Sequence, residues 1–239
     1  MDEIPSKWKL EKLGNVTQKI QDGNYGADYP KSDEFQSEGV PFLTSRAIES
    51  TNINWKNIDY ISEEKHIQLR KAHIKTNDVL WTNRGAKVGS VAIVPLELND
   101  ANIGPQLTLI RVEPSILDYY FLYCYMQSSF LRKQIESKSS GSAMGFFGIA
   151  ETSNFILPLP PLAEQRKIAA ILSTWDEAIG LTEALIGALE RRKQALMQLL
   201  LTGAVRFQEF EGEMWENLEV GRFISRNGIQ VNPLTYDED

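Results

Sequence analysis

Cysteine is almost absent from the 239 residues: Cys124 stands alone, which excludes an internal disulfide and suits a reducing, cytoplasmic compartment. Histidine is nearly as scarce. His66 and His73 with a single cysteine cannot build a four-ligand Cys/His zinc site, and no metal is expected. No apolar run approaches the length that spans a bilayer, so no membrane partner is expected. The opening MDEIPSKWKLEKLG is charged and lacks the apolar stretch of a signal peptide. Signatures of catalysis are missing as well. Residues 85–90 (GAKVGS) resemble a phosphate loop only superficially, and there is no G-x-S-x-G elbow. The carboxylates Asp59, Glu63 and Glu64 lie too close in sequence to bracket a nuclease metal. Residues 232–235 (NPLT) lack the second proline and the aromatic residue with which adenine methyltransferases grip a flipped base. A non-enzymatic chain with no cofactor of its own is the expectation.

What is present is ordinary globular material, 42% hydrophobic and 24% charged. The net charge of −7 is unevenly spread, since residues 207–239 alone carry −6 and leave residues 1–206 at −1. A local basic face is compatible with that near-neutral body.

Residues 1–160 read as one α+β domain. Strand-like runs at 39–44 (GVPFLT), 79–82 (VLWT), 88–95 (VGSVAIVP) and 107–112 (LTLIRV) are rich in Val, Ile, Leu and Trp and bounded by turn formers. Ser62 caps a short helix in ISEEKHIQLRKA, and 119–137 reads as one helix or two short ones. Residues 157–162 (LPLPPL) cannot be helix interior and are expected to be extended. The next stretch, 161–203, changes character. Ile168, Leu172, Trp175, Ile179, Thr182, Ile186, Leu189, Lys193, Leu196 and Leu200 follow spacings of four and three without a slip, the pattern of a heptad seam. Gly203 suits its C-terminal cap. Such a rod would be about 60 Å long, and its apolar stripe needs a partner: this domain, a second copy or a second repeat. Residues 204–239 then begin an acidic segment in which Trp215 to Gly221 echoes Trp8 to Gly14 as W-x-x-x-x-[LV]-G, like the start of a second repeat.

The segment PLPPLAEQRKIAAILSTWDEAI at 158–179, running into LERRKQALMQLLLTG, resembles the central region of type I restriction–modification specificity subunits. WKLEKLG, VPFLTSRAI, IKTNDVLWTNRGAKVG, the Asn102-Ile103-Gly104 stretch and the Gly141-Ser142 loop resemble that family's target recognition domain, in its order. The likeness covers nearly all of residues 5–221. It implies a subunit without activity of its own that reads double-stranded DNA and scaffolds two methyltransferase subunits, which use S-adenosylmethionine to methylate adenine at N6. Translocating nuclease subunits complete the restriction enzyme. Family members carry two recognition domains separated by two antiparallel helices, each domain reading half of a split site. This sequence has one domain and one long helix, so the resemblance implies a half-length form pairing as a homodimer on a palindromic split site. A scaffold or decoy that holds methyltransferase subunits without reading DNA stays open.

On that reading the DNA-facing candidates are loop donors. Asn83, Arg84 and Lys87 sit on a glycine-bent loop, Ser45 and Arg46 follow a strand, and Asn24 and Tyr25 lie in a glycine-rich turn. Lys138 and Ser142 flank a serine-glycine loop that could cradle a phosphate. A plain solvated hairpin at 83–87 and a solvated face around Arg70, Lys71 and Lys75 are the competing readings. Trp55 and Trp81 are expected in the core, because duplex DNA offers no free base faces for stacking. Ile168, Leu172, Trp175, Ile179, Ile186, Leu189, Leu196 and Leu200 are the dimerisation candidates, with Glu164, Gln165 and Arg166 placed to meet a methyltransferase or, for Glu164, to cap the helix.

Overall fold

The computed structural model describes residues 5–49, 51–139 and 146–215. Ser142 and the second-repeat echo beyond Trp215 lie outside them. Two compact units divide within the long helix, Met1–Gly180 and Leu181–Asp239.

The centre of the first unit is an antiparallel sheet in the order β2 (Thr17–Asp22), β11 (Leu107–Val112), β8 (Val79–Thr82), β9 (Val91–Ile93). Its central strands show no polar–apolar alternation because both faces are covered. Val79 and Trp81 of β8 and Ile110 and Val112 of β11 enter one core, and Leu80, Leu107 and Leu109 enter another. The first core is closed by α2 (Tyr119–Met126), α3 (Ser129–Ser139), the segment just after α4 (Ile149–Ser153) and the beginning of α5 (Leu162–Leu201), through Phe121, Leu122, Leu131, Phe155 and Ala169.

The second core backs onto a mixed sheet in the order β10 (Asn102–Ile103), β4 (Val40–Leu43), β7 (Asp59–Ile61), β3 (Phe35–Gln36). Here β10 runs parallel to β4, and the remaining pairs are antiparallel. Phe42, Ile61 and Leu69 pack beyond it, with Tyr29 and Phe35 edge-on to Phe42 at centroid distances of 5.6 and 5.7 Å. Two ribbons complete the unit, β1 (Lys9–Lys12) with β12 (Ile156–Leu159) and β5 (Ile48–Glu49) with β6 (Asn52–Ile53).

Ser62 Oγ accepts from the Lys65 amide and caps α1 (Glu63–Gln68), shorter than the sequence suggests because the chain leaves the helical conformation at Leu69. The 119–137 region is two helices, parted at Gln127 and Ser128. The 88–95 strand is limited to Val91–Ile93, since Gly89 at φ +92° turns the chain first. Trp81 is fully buried as expected, but Trp55 is half exposed in a turn that Asn54 closes, so its place in the core is corrected.

Gln165, completely buried, fixes the start of α5. Its Oε1 accepts from the Asp118 amide at 2.9 Å, and its Nε2 donates to the Ile116 and Pro160 carbonyls at 3.0 and 2.9 Å. Glu164 accepts from the Trp8 indole at 3.3 Å. Beyond Ala169 the helix runs without a break; Ser173 and Thr174 return their hydroxyls to the Ala170 carbonyl rather than capping a new helix. Gly203, at φ +73°, follows its end and donates to Leu200. Among the described residues, no helix is long and apolar enough to cross a membrane.

Candidate nucleic-acid interface

Four loops meet at one end of the two sheets. The first follows β2, where Gly23 lies so close to Gly104 that a Cβ would stand 2.0 Å from its carbonyl oxygen. Only glycine fits that approach. Asn24 is buried there, its backbone and side-chain N–H groups both directed at the Ile103 carbonyl. It is therefore a framework residue, and Tyr25 is the exposed one, with the Lys71 ammonium 3.5 Å from its ring centroid. The second loop, 104–106, ties the first to the others: Gly104 donates to Leu43 and the Gln106 carbonyl accepts from the Asn83 amide.

The third loop leaves β8. Asn83 is fully buried, its side-chain amide donating to Thr108 Oγ1 at 2.8 Å and Asp22 Oδ1 at 3.2 Å, while the Thr108 hydroxyl donates to the same carboxylate at 2.6 Å. Those bonds remove Asn83 from direct contact with a ligand and make it the root of the loop. Gly85 and Gly89, at φ +82° and +92°, turn the chain so that Gly89 donates back to Thr82. Arg84 is half-buried. Its guanidinium carbon is 4.4 Å from the centroid of the exposed Phe146 ring, and its Nε donates to Asn83 Oδ1. Stacking leaves an arginine's edges free to donate.

Lys87 joins the third loop to the fourth. Its ammonium donates to the Ile48 and Ser45 carbonyls at 2.9 and 3.4 Å. Arg46, 68% exposed, is paired with Asp59 at 2.5 Å. Beside it Tyr29, Ser45, Asp59 and Gln106 line a shallow cleft of about 380 Å³. Thr44 Oγ1 and Gln106 Oε1, buried at the cleft wall, have no hydrogen-bond partner among the described residues. Burial and the Asp59 charge hold the Tyr29 phenol above its usual range, so it remains a neutral donor there.

The face thus gathers Tyr25, Ser45, Arg46, Arg84 and Lys87, with Asn24 and Asn83 beneath it. Lys138 is exposed near the end of α3, its ammonium 5.1 Å from the Phe155 ring. Phe146 and Gln106 are the members sequence reasoning misses. Both are set by long-range contacts that no local motif announces.

On α5 the apolar candidates divide. Ile168 packs against the first core and so is used within its own unit. Leu172, Trp175, Ile179, Ile186, Leu189, Leu196 and Leu200 are all exposed, Trp175 to 67%.

Residues 5–191 match the family model described as type I restriction modification DNA specificity domain. The chain is 29% identical over 210 residues to the type I restriction enzyme MjaVIII specificity subunit of Methanocaldococcus jannaschii, covering 85% of this chain and 48% of that protein. It spans about half the length of the curated relatives it matches. Its fold resembles the HsdS subunit from Thermoanaerobacter tengcongensis, with a TM-score of 0.54, 23% identity, and 82% of this chain against 45% of that one. It also resembles the type I restriction-modification system S subunit from M. genitalium, at TM-score 0.56 and 17% identity over 83% of this chain and 47% of the other.

Proposed function

The chain belongs to the type I restriction modification DNA specificity family, and we propose on that premise that it is a non-catalytic reader that docks one half of a split DNA site on the four-loop face. The observation that carries this is the convergence of Arg46 from one loop with Arg84 and Lys87 from another, on one surface by the Lys87 bridge to Ser45 and Ile48. Cations and hydroxyls there meet phosphates and position the domain, while the cleft beside Arg46 offers donors and acceptors to base edges. The net acidity of the chain does not oppose this, because most of it belongs to residues 207–239.

The proposal extends to assembly. The exposed stripe of α5 pairs with the same stripe of a second copy, giving two recognition domains related by a twofold axis. The pair recruits methyltransferase subunits, which bring S-adenosylmethionine and methylate adenine at N6; nuclease subunits join the same scaffold. Symmetry then demands a palindromic split site.

Co-expression with a type I methyltransferase subunit, followed by single-molecule mapping of N6-methyladenine across the host genome, tests the whole reading. The expected result is a split palindromic motif. An asymmetric motif overturns the homodimer, and an assembled complex that leaves no methylation overturns DNA reading in favour of a scaffold or decoy.

A further inference from the structure

The chain has two histidines, seven residues apart, and the fold brings both to one carboxylate. His66, on α1, and His73, in the loop after it, have ring centroids 4.4 Å apart. Asp100 reaches both, with Oδ1 2.9 Å from His73 Nδ1 and Oδ2 3.5 Å from His66 Nε2. One ligand atom from each residue lies within 4.8 Å of the others. Asp100 is held in place by its backbone, at φ +67°, with its amide donating to the Ile74 carbonyl at 2.7 Å.

The far nitrogens of the two rings decide what the near ones can do. His73 Nε2 lies against the Leu69 carbonyl, an acceptor only, so that nitrogen carries the hydrogen. His66 Nδ1 lies 2.6 Å from Asn102 Oδ1, again an acceptor, inside a site where His66 and Asn102 are both buried. With those far nitrogens engaged by carbonyl oxygens, His73 Nδ1 and His66 Nε2 both turn toward the Asp100 carboxylate, so the three groups face one common point. A single divalent ion satisfies all three groups, and imidazoles whose other N–H is pinned by a carbonyl oxygen are the arrangement that orients histidine ligands.

We propose that His66, His73 and Asp100 form a binding site for one Zn²⁺ or a similar borderline divalent cation, leaving a coordination position open to water. The scarcity of cysteine and histidine excludes a four-ligand Cys/His site, but not a two-histidine, one-carboxylate site. The ion would join the loop after α1 to the turn before β10. Asn102, on the outer side of the His66 ring, precedes Ile103, whose carbonyl holds Asn24. The site thus lies behind the Tyr25 edge of the recognition face, yet it stands independently of any DNA-reading function.

The test is Zn²⁺ binding to the full chain after dialysis against a chelator, with bound metal measured by mass spectrometry. One equivalent per chain is expected. His73→Gln and Asp100→Asn act at partly exposed positions, and asparagine tolerates the left-handed backbone at 100. Each is expected to weaken binding by more than the roughly 10–100-fold that follows loss of an outer-shell partner. Zinc retained equally by both variants, or none retained by the parent chain, overturns the site. A second readout needs no variant: with only two histidines, long-range ¹H–¹⁵N spectra resolve both imidazoles directly. Both should move on addition of one equivalent of Zn²⁺, and two unmoved rings overturn the proposal.

Discussion

Asn83 and Arg84 are adjacent in sequence and opposite in kind. Asn83 is sealed between Asp22 and Thr108, and truncating it leaves a part-buried carboxylate and a buried hydroxyl short of a donor. Asn83→Ala should cost about 1–3 kcal/mol of folding stability, read as a fall in the denaturation midpoint. Arg84 stacks on an exposed ring, so Arg84→Ala should leave that midpoint within about 0.5 kcal/mol. On the proposed function it instead weakens DNA binding and lowers the slope of log K against log salt by about 1, measured by fluorescence anisotropy of a labelled duplex. An unchanged salt slope would place Arg84 off the phosphates. Cys124 gives a residue-scale prediction of another sort. Burial, with the Asp176 and Asp118 carboxylates nearby, pushes its thiol up to about 11. The raised value favours the neutral thiol, so iodoacetamide should modify it slowly at neutral pH. The rate should climb with pH toward about 11, where the thiolate fraction becomes large.

At the scale of elements, the central strands were readable because strand propensity and burial agree there. Residues 79–82 and 107–112 are apolar on both faces, and each face has its own core. The run at 88–95 looks the same by composition, but Gly89 spends the first residues on a turn, a tertiary choice that propensity does not encode. Trp55 looks like core by type, yet its turn leaves it half exposed. The four-loop face was legible in part. Glycine-bent loops named segments that come together there, but which side chain faces outward depends on Asp22, Thr108 and Ile103, far away in sequence. The histidine cluster was not legible at all, because His66 and His73 meet Asp100 only through folding. Gln165 has the same lesson in an element's placement. It reads as a surface glutamine in AEQRKIAAIL, but it ties the first turn of α5 to Ile116, Asp118 and Pro160. Gln165→Ala strands one amide and two carbonyls. About 2–4 kcal/mol should be lost, with hydrogen exchange rising first at the start of α5. Uniform exchange across the unit would argue against a local clamp.

For the whole molecule, the decisive feature is apolar surface that no described residue covers. Leu172, Trp175, Ile179, Ile186, Leu189, Leu196 and Leu200 are 39–67% exposed along one helix. Covering a fully exposed large aliphatic or aromatic side chain yields about 1.5–3 kcal/mol, and these are roughly half exposed, so each stripe offers about as much as the free energy of a micromolar complex before ordering costs are subtracted. Leu181, Leu185, Met197 and Leu199 are exposed as well, which broadens the apolar surface in the C-terminal half beyond a two-helix seam. On the proposed pairing Thr182 and Lys193 fall on the seam and weaken it locally, and a cation at such a position favours one register over its neighbours. Pairing with a second copy predicts a dimer in sedimentation equilibrium at tens of micromolar without any other subunit. Trp175→Asp with Leu189→Asp places a carboxylate at two separated points of the seam, both exposed in the single chain, so each domain should still fold. The double variant should sediment as a monomer with an unchanged circular dichroism spectrum. A parent chain that is already monomeric, or a double variant of unchanged mass, removes the seam. The stripe must then be covered by a methyltransferase subunit or by a second repeat, and the demand for a palindromic site falls with the twofold axis that produced it.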